Sequence, residues 1–192
     1  MKKYIGLVLV AMSGCILTVN AQQSFSYKNP LLPTELRVND LLGRMTLEEK
    51  IAQIRHLHSW DVFDGQILNQ EKLDKMCGGI GYGFFEGFPL TAASCRKTFR
   101  EIQTYMVEKT RLGIPGFPVA ESLHGVVHEG TTIYPQNIAM GSTFNPELAY
   151  EKTKHIAGEL NTLGVKQVLA PCIDVVRDLR WGRVEESFGE DQ

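Results

Sequence analysis

The sequence predicts an α/β protein assembled from parallel strand–helix units, and three observations carry that expectation. Short apolar runs, Phe117 to Glu121 and Lys166 to Ala170, alternate with amphipathic segments of helical period, the pattern of parallel β/α units. The helical segments carry start and stop signals. Each run also leads directly into a polar stretch, Glu121-Ser-Leu-His124-Gly125 after the first and Asp174 through Asp191 after the second. Carboxyl ends of strands are where α/β enzymes gather functional side chains. An α/β barrel and a doubly wound sheet both satisfy this pattern.

Taken in order, residues 1–21 read as an export signal. Lys2 and Lys3 form a positive start, Ile5 to Val19 an apolar run, and Val19-Asn20-Ala21 a small-residue cleavage pattern. Ser13-Gly14-Cys15 also resembles a lipoprotein processing box, which would leave a lipidated Cys15; only then is a membrane a partner. Residues 22–33 are polar and proline-bearing, a surface lead-in, and the body of the chain spans 34–192. A helix is expected from Thr34, with Leu36, Val38, Leu41 and Leu42 at helical spacing and an interruption at Gly43. Thr46-Leu-Glu-Glu49 is a capping box, opening a helix that should turn Ile51, Ile54 and Leu57 inward. Residues 59–68 read as loop with a short extended piece, and Glu71 to Met76 as a turn or two of helix. The glycine-rich run Gly78 to Gly87 is itself strand-like through Ile80, Tyr82, Phe84 and Phe85. It lacks the strand-before, helix-after setting of a nucleotide fingerprint.

A long helix is expected over Thr91 to Leu112, closed by Gly113, with Ala92, Cys95, Phe99, Ile102 and Met106 on its inner face. Asn145-Pro146-Glu147 opens another: asparagine as N-cap, proline first, an acid in the first turn. Ala149, Ile156, Leu160 and Leu163 face its core and Gly164 ends it.

Composition narrows the function. The formal charge is −2 and falls to −4 once Lys2 and Lys3 are removed, with no basic cluster, so nucleic acid is excluded as a partner. Cys77, Cys95 and Cys172 form neither a metal-spaced pair nor a disulfide framework and read as small core residues. Of 192 residues, the 171 left after a 21-residue signal fall short of the ~250 of a complete eight-stranded barrel.

Glu121 stands just past a strand, where a carboxylate accepts two hydrogen bonds from neighbouring hydroxyls, a contact suited to sugar; it could equally cap a turn or pair with an arginine. His124 reads as a core histidine donating to a backbone carbonyl. Glu121, His124 and His128 together raise a zinc-hydrolase alternative, but histidines four apart ligate zinc from a continuous helix, and Gly125 and Gly130 argue against one. In the final stretch Arg177, Arg180 and Arg183 alternate with carboxylates that would satisfy most of their charge, leaving open which arginine faces a cleft. Trp181 is suited to walling a sugar face or to anchoring the loop.

These residues, in order, resemble glycoside hydrolase family 3. The matching pieces are Arg37-Val-Asn-Asp-Leu-Leu, Met45 through Gln53, Arg111-Leu-Gly-Ile-Pro115, Glu121-Ser-Leu-His-Gly125, Tyr134-Pro-Gln-Asn137, Phe144-Asn-Pro-Glu147, Ala170-Pro171, Arg177-Asp-Leu-Arg-Trp-Gly-Arg183 and Gly189-Glu-Asp191. The resemblance implies the incomplete N-terminal part of a (β/α)8 TIM-type barrel, from an exported enzyme, periplasmic or secreted, that removes terminal β-glucosyl or β-xylosyl residues from oligosaccharides with retention. It implies that Glu121 and Arg183 contact the sugar, and that no cofactor or metal is needed. The nucleophile and general acid would lie beyond Gln192, so this chain alone is expected to be inactive, retaining at most weak sugar binding. Glu190 and Asp191 match a structural segment. Glutamate at 121 resembles the xylosidase branch, where many family glucosidases have aspartate, whereas Arg183-Val-Glu-Glu-Ser-Phe-Gly resembles the glucosidases.

Overall fold

The structure is a computed structural model describing residues 26–87 and 91–191; the expected signal and Cys15 lie outside them. The described residues divide into two compact units, one ending at Arg44 and the other beginning at Met45.

In the first unit a 3₁₀ turn, Ser26–Lys28, precedes helix α1, Thr34–Arg44. Asp40 ties them together, accepting from the Tyr27 amide at 3.0 Å and from Arg44 Nε at 3.0 Å, while Arg37 Nε donates to the Tyr27 carbonyl at 2.9 Å. The expected start at Thr34 is observed, but α1 continues through Gly43 and buries none of its residues. The stripe Leu36, Val38 and Leu42 is exposed.

The second unit contains α2 (Leu47–Gln53), β1 (His56–His58), α3 (Ser59–Val62), β2 (Phe63–Asp64), β3 (Ile67–Leu68), α4 (Gln70–Cys77), β4 (Phe84–Glu86), α5 (Ala92–Lys109), β5 (Phe117–Ala120), α6 (Asn137–Gly141), α7 (Pro146–Leu163), β6 (Gln167–Val168) and a 3₁₀ turn at Val184–Glu186. The main sheet runs β1-β4-β5-β6 with every neighbouring pair parallel, and β2–β3 form an antiparallel hairpin. Parallel neighbours need long crossovers, which α4, α5 and α7 supply. Leu57 aligns with Phe85, and Phe85 with Pro118, so one sheet face meets the helices. There Leu57 and Phe85 pack against Leu73, Phe99, Ile102, Met106, Ile156 and Leu160. Phe85 is fully buried, its ring edge-on to Phe99 at 5.6 Å; burying such a ring contributes about 1.5–3 kcal/mol. The opposite face bears a stacked row, His56 on Phe84 at 5.0 Å and Phe84 on Phe117 at 5.8 Å.

The capping box at Thr46 forms, Glu49 Oε2 accepting from the Thr46 amide at 2.8 Å. However, α2 turns Glu49 and Ala52 inward and leaves Ile51 and Ile54 exposed, while the buried Leu57 belongs to β1. The reason lies 62 residues away: Arg111 Nε donates to Glu49 Oε1 at 2.7 Å, drawing that face of α2 inward. The expected loop over 59–68 contains α3 and the hairpin. The helix expected from Thr91 is α5, with Thr91 as its N-cap, and it stops short of Leu112 at Thr110, whose hydroxyl donates to the Met106 carbonyl at 2.5 Å. Asn145 and Pro146 open α7 as expected, and Gly164 closes it at φ +92°. A strand is expected over Lys166 to Ala170. Only Gln167–Val168 is strand, and both are exposed, because β6 has a single strand neighbour among the described residues.

Candidate functional site

A hollow of about 310 Å³ opens at the carboxyl ends of β1, β4 and β5. Its lining includes His58, Trp60, Glu86, Glu121, Val127 and His128. Glu121 follows the last residue of β5 and is exposed. Glu86 lies between two imidazoles, its Oε2 3.0 Å from His56 Nδ1 and its Oε1 3.2 Å from His58 Nδ1. The second approach is close but poorly aligned, so His58 Nδ1 is buried without a hydrogen-bond partner among the described residues. The His58 ring stacks on Trp60 at 4.3 Å and 8°. An aromatic face beside carboxylates is the chemistry of a site for a polyhydroxylated ring.

The segment after β5 is not helical. Gly125 holds φ +116°, and a Cβ there would meet the Thr132 carbonyl at 2.3 Å, so the chain folds back on itself. Tyr134 then donates to the His124 carbonyl at 2.7 Å, and Thr132 Oγ1 to Glu159 Oε1 of α7 at 2.6 Å. Burial pushes the His128 imidazole below its usual range, leaving it neutral near pH 7. The helix that a zinc pair at 124 and 128 requires is therefore not formed, and no group of three metal-binding side chains occurs among the described residues. His124 Nδ1 is buried without a partner among those residues, not donating to a carbonyl as expected.

The loop after β6 sorts its arginines. Arg180 Nε donates to Asp178 Oδ1 at 2.9 Å on the exposed surface. Arg183 Nε donates to Glu186 at 2.9 Å, and Arg183 Nη2 to Glu186 Oε2 at 2.5 Å. Glu186 holds the guanidinium protonated well above its usual range, and the charge of Glu121 adds to that field. The Glu186 carbonyl accepts from Asn137 Nδ2 at 2.9 Å; Asn137 Oδ1 accepts from Lys152 Nζ at 2.7 Å. Lys152 also donates to the Pro135 carbonyl at 3.1 Å. Gly141 abuts the Phe188 carbonyl, which a Cβ would approach to 1.9 Å.

Of the residues singled out from sequence, Glu121 lines the hollow, whereas Arg183 stands well beyond the end of β6, is not among the residues lining it, and feels Glu121 only as the smallest influence on its guanidinium. Arg180 is spent on Asp178. Cys77 and Cys95 are buried and Cys172 is half-exposed, its thiol donating to Asp174 at 3.1 Å, which corrects the expectation of three core cysteines. His58, Trp60 and Glu86 went unnoticed because nothing local marks them. Lys152 carried a signal, a lysine four residues before Ile156 on the apolar stripe of α7.

A parallel sheet crossed by helices, with carboxylates, imidazoles and an indole gathered at its carboxyl edge, defines an α/β enzyme-type site. The chain matches the glycosyl hydrolase family 3 N terminal domain over residues 46–192 and belongs to that family. It is 45% identical over 87 residues to a β-xylosidase of Formosa agariphila, covering 42% of this chain and 12% of that protein. It is 30% identical to a periplasmic β-glucosidase of Salmonella typhimurium, covering 98% of this chain and 23% of that protein. A mutant β-glucosidase of Listeria innocua, solved in complex with laminaribiose, superposes with TM-score 0.66 at 32% identity, over 83% of this chain and 22% of that one. The chain therefore spans less than a quarter of the length of these relatives.

Proposed function

We propose that this chain supplies the sugar-gripping part of an exported, retaining glycosidase that releases terminal β-glucosyl or β-xylosyl residues from oligosaccharides. The single observation that carries the reading is the hollow at the carboxyl ends of β1, β4 and β5, where Glu121 and Glu86 stand beside the Trp60 indole. In the Mechanism so assigned, Glu121 accepts hydrogen bonds from two hydroxyls of the terminal ring, and Arg183 donates to the same ring from a fixed plane. Trp60, stacked on His58, offers an apolar face beside them. The four parallel strands form the first part of a (β/α)8 barrel whose remaining units carry nucleophile and acid. The β-glucosidase and β-xylosidase names of the relatives support the substrate class, and the periplasmic relative supports export across the inner membrane.

The test is hydrolysis of nitrophenyl β-glucoside and β-xyloside by the protein carrying this segment. Glu121→Gln or Arg183→Gln should each lower kcat/KM about 10- to 100-fold, as expected when a charge-assisted hydrogen bond to substrate is lost. Glu121→Asp, by withdrawing one methylene, should raise glucoside turnover relative to xyloside about tenfold. Failure of the unmodified protein on both substrates would overturn the assignment.

A further inference from the structure

Among the described residues Lys152 has no carboxylate partner, yet it is buried, the sole lysine of them that is. A buried ammonium is costly unless its hydrogen bonds are used. Its two acceptors are the Pro135 carbonyl and Asn137 Oδ1. An ammonium only donates, so it dictates which way the Asn137 amide faces: oxygen toward Lys152, nitrogen toward the Glu186 carbonyl at 2.9 Å. Asn137 is itself 2% exposed, leaving no water to substitute. The next link is the Glu186 side chain, which grips Arg183.

We propose that Lys152 is a positioning residue for Arg183, acting through the Asn137 amide and the Glu186 backbone to fix the guanidinium at the sugar. The proposal deepens the sugar-contact reading of Arg183 and rests on it. Without the ammonium, the Asn137 amide is free to rotate and the Glu186 carbonyl loses its donor, while the 183–189 loop keeps its close approach at Gly141 and the bond from the Val176 amide to the Gly189 carbonyl at 3.0 Å.

The experiment follows two signals in the full chain: affinity for methyl β-glucoside and methyl β-xyloside by NMR titration, and the Arg183 Nε–H resonance in a ¹H–¹⁵N spectrum, assigned by its loss in Arg183→Gln. Lys152→Met should weaken sugar binding about tenfold, the scale of a small misplacement of a contact group, and shift the Arg183 resonance. The double variant Lys152→Met/Asn137→Leu replaces the polar pair by apolar groups; thermal stability should recover while sugar affinity stays low. A merely structural lysine predicts that both recover. If Lys152→Met does not fold, Asn137→Asp keeps an acceptor for the ammonium and removes the donor to Glu186, and should give the same two changes. An unshifted Arg183 resonance in these variants overturns the proposal even if binding changes. Sugar binding retained by Lys152→Met but lost in Arg183→Gln overturns it while leaving the sugar-contact reading intact. No binding by the unmodified chain overturns that reading and the proposal with it.

Discussion

Gly141 offers a steric test of how the Arg183 loop is held. Its backbone has ordinary helical torsions, so Gly141→Ala adds no conformational strain of its own. The added Cβ would stand 1.9 Å from the Phe188 carbonyl oxygen, whereas real Cβ atoms do not approach within 3.0 Å. The 183–189 loop or α6 must then move by about 1.1 Å, an overpacking that costs ~1–3 kcal/mol. At 2–4 °C per kcal/mol for a unit of this size, the melting temperature should fall by roughly 2–12 °C. Gly83→Ala makes the matched control, its Cβ meeting the Gln53 carbonyl at the same 1.9 Å but between α2 and β4. Circular dichroism melts should show both variants destabilised. NMR titration with methyl β-glucoside should show weakened binding only in Gly141→Ala, where the shift displaces Arg183 by a distance that can cost up to ~100-fold. A Gly141→Ala protein that melts like the parent would refute the steric reasoning. Equal loss of sugar binding in Gly83→Ala would refute the link to Arg183.

Two further outcomes follow from local electrostatics. The Arg111 hydrogen bond holds the Glu49 carboxyl below its ordinary value of 4.5, so its stabilisation is fully present above that pH and is lost as pH falls through the depressed folded value. In urea melts from pH 7 down to pH 2.5, Glu49→Gln should be less stable than the parent near neutrality and converge with it in acid; a constant gap would contradict this. Burial raises the Cys77 thiol to about 12 and the Cys95 thiol to about 11, while Cys172 is held up chiefly by its bond to Asp174 and remains accessible. Iodoacetamide at pH 8, read by peptide mass spectrometry, should therefore modify Cys172 before the other two, and faster in Asp174→Asn. Labelling of Cys95 at the Cys172 rate would exclude that ordering.

Features governed by neighbouring residues were legible in the sequence. Thr46 and Asn145 each cap the helix expected of them, because a cap is settled within three residues. Glu121 was legible from its place after a strand. What the sequence hid depends on distant partners. Ile51 and Ile54 face outward because Arg111 claims Glu49. Arg183 could not be told from Arg180 because each has a carboxylate within three residues, and only the anchoring of Glu186 by Asn137, 49 positions earlier, sets one apart. Strand β6 was overestimated for a related reason: apolar character alone does not bury a strand that has one neighbour.

On the sugar contact proposed for Arg183, its pairing with Glu186 has a consequence for discrimination. Of the five N–H donors of a guanidinium, the carboxylate occupies two, one on Nε and one on Nη2. Of the remaining three, two point along the edge between Nη1 and Nη2, and the third lies on the far side of Nη1. For hexoses that differ only in the handedness of one carbon, acceptance then becomes a question of angle, since a longer reach cannot compensate for a hydroxyl on the wrong side.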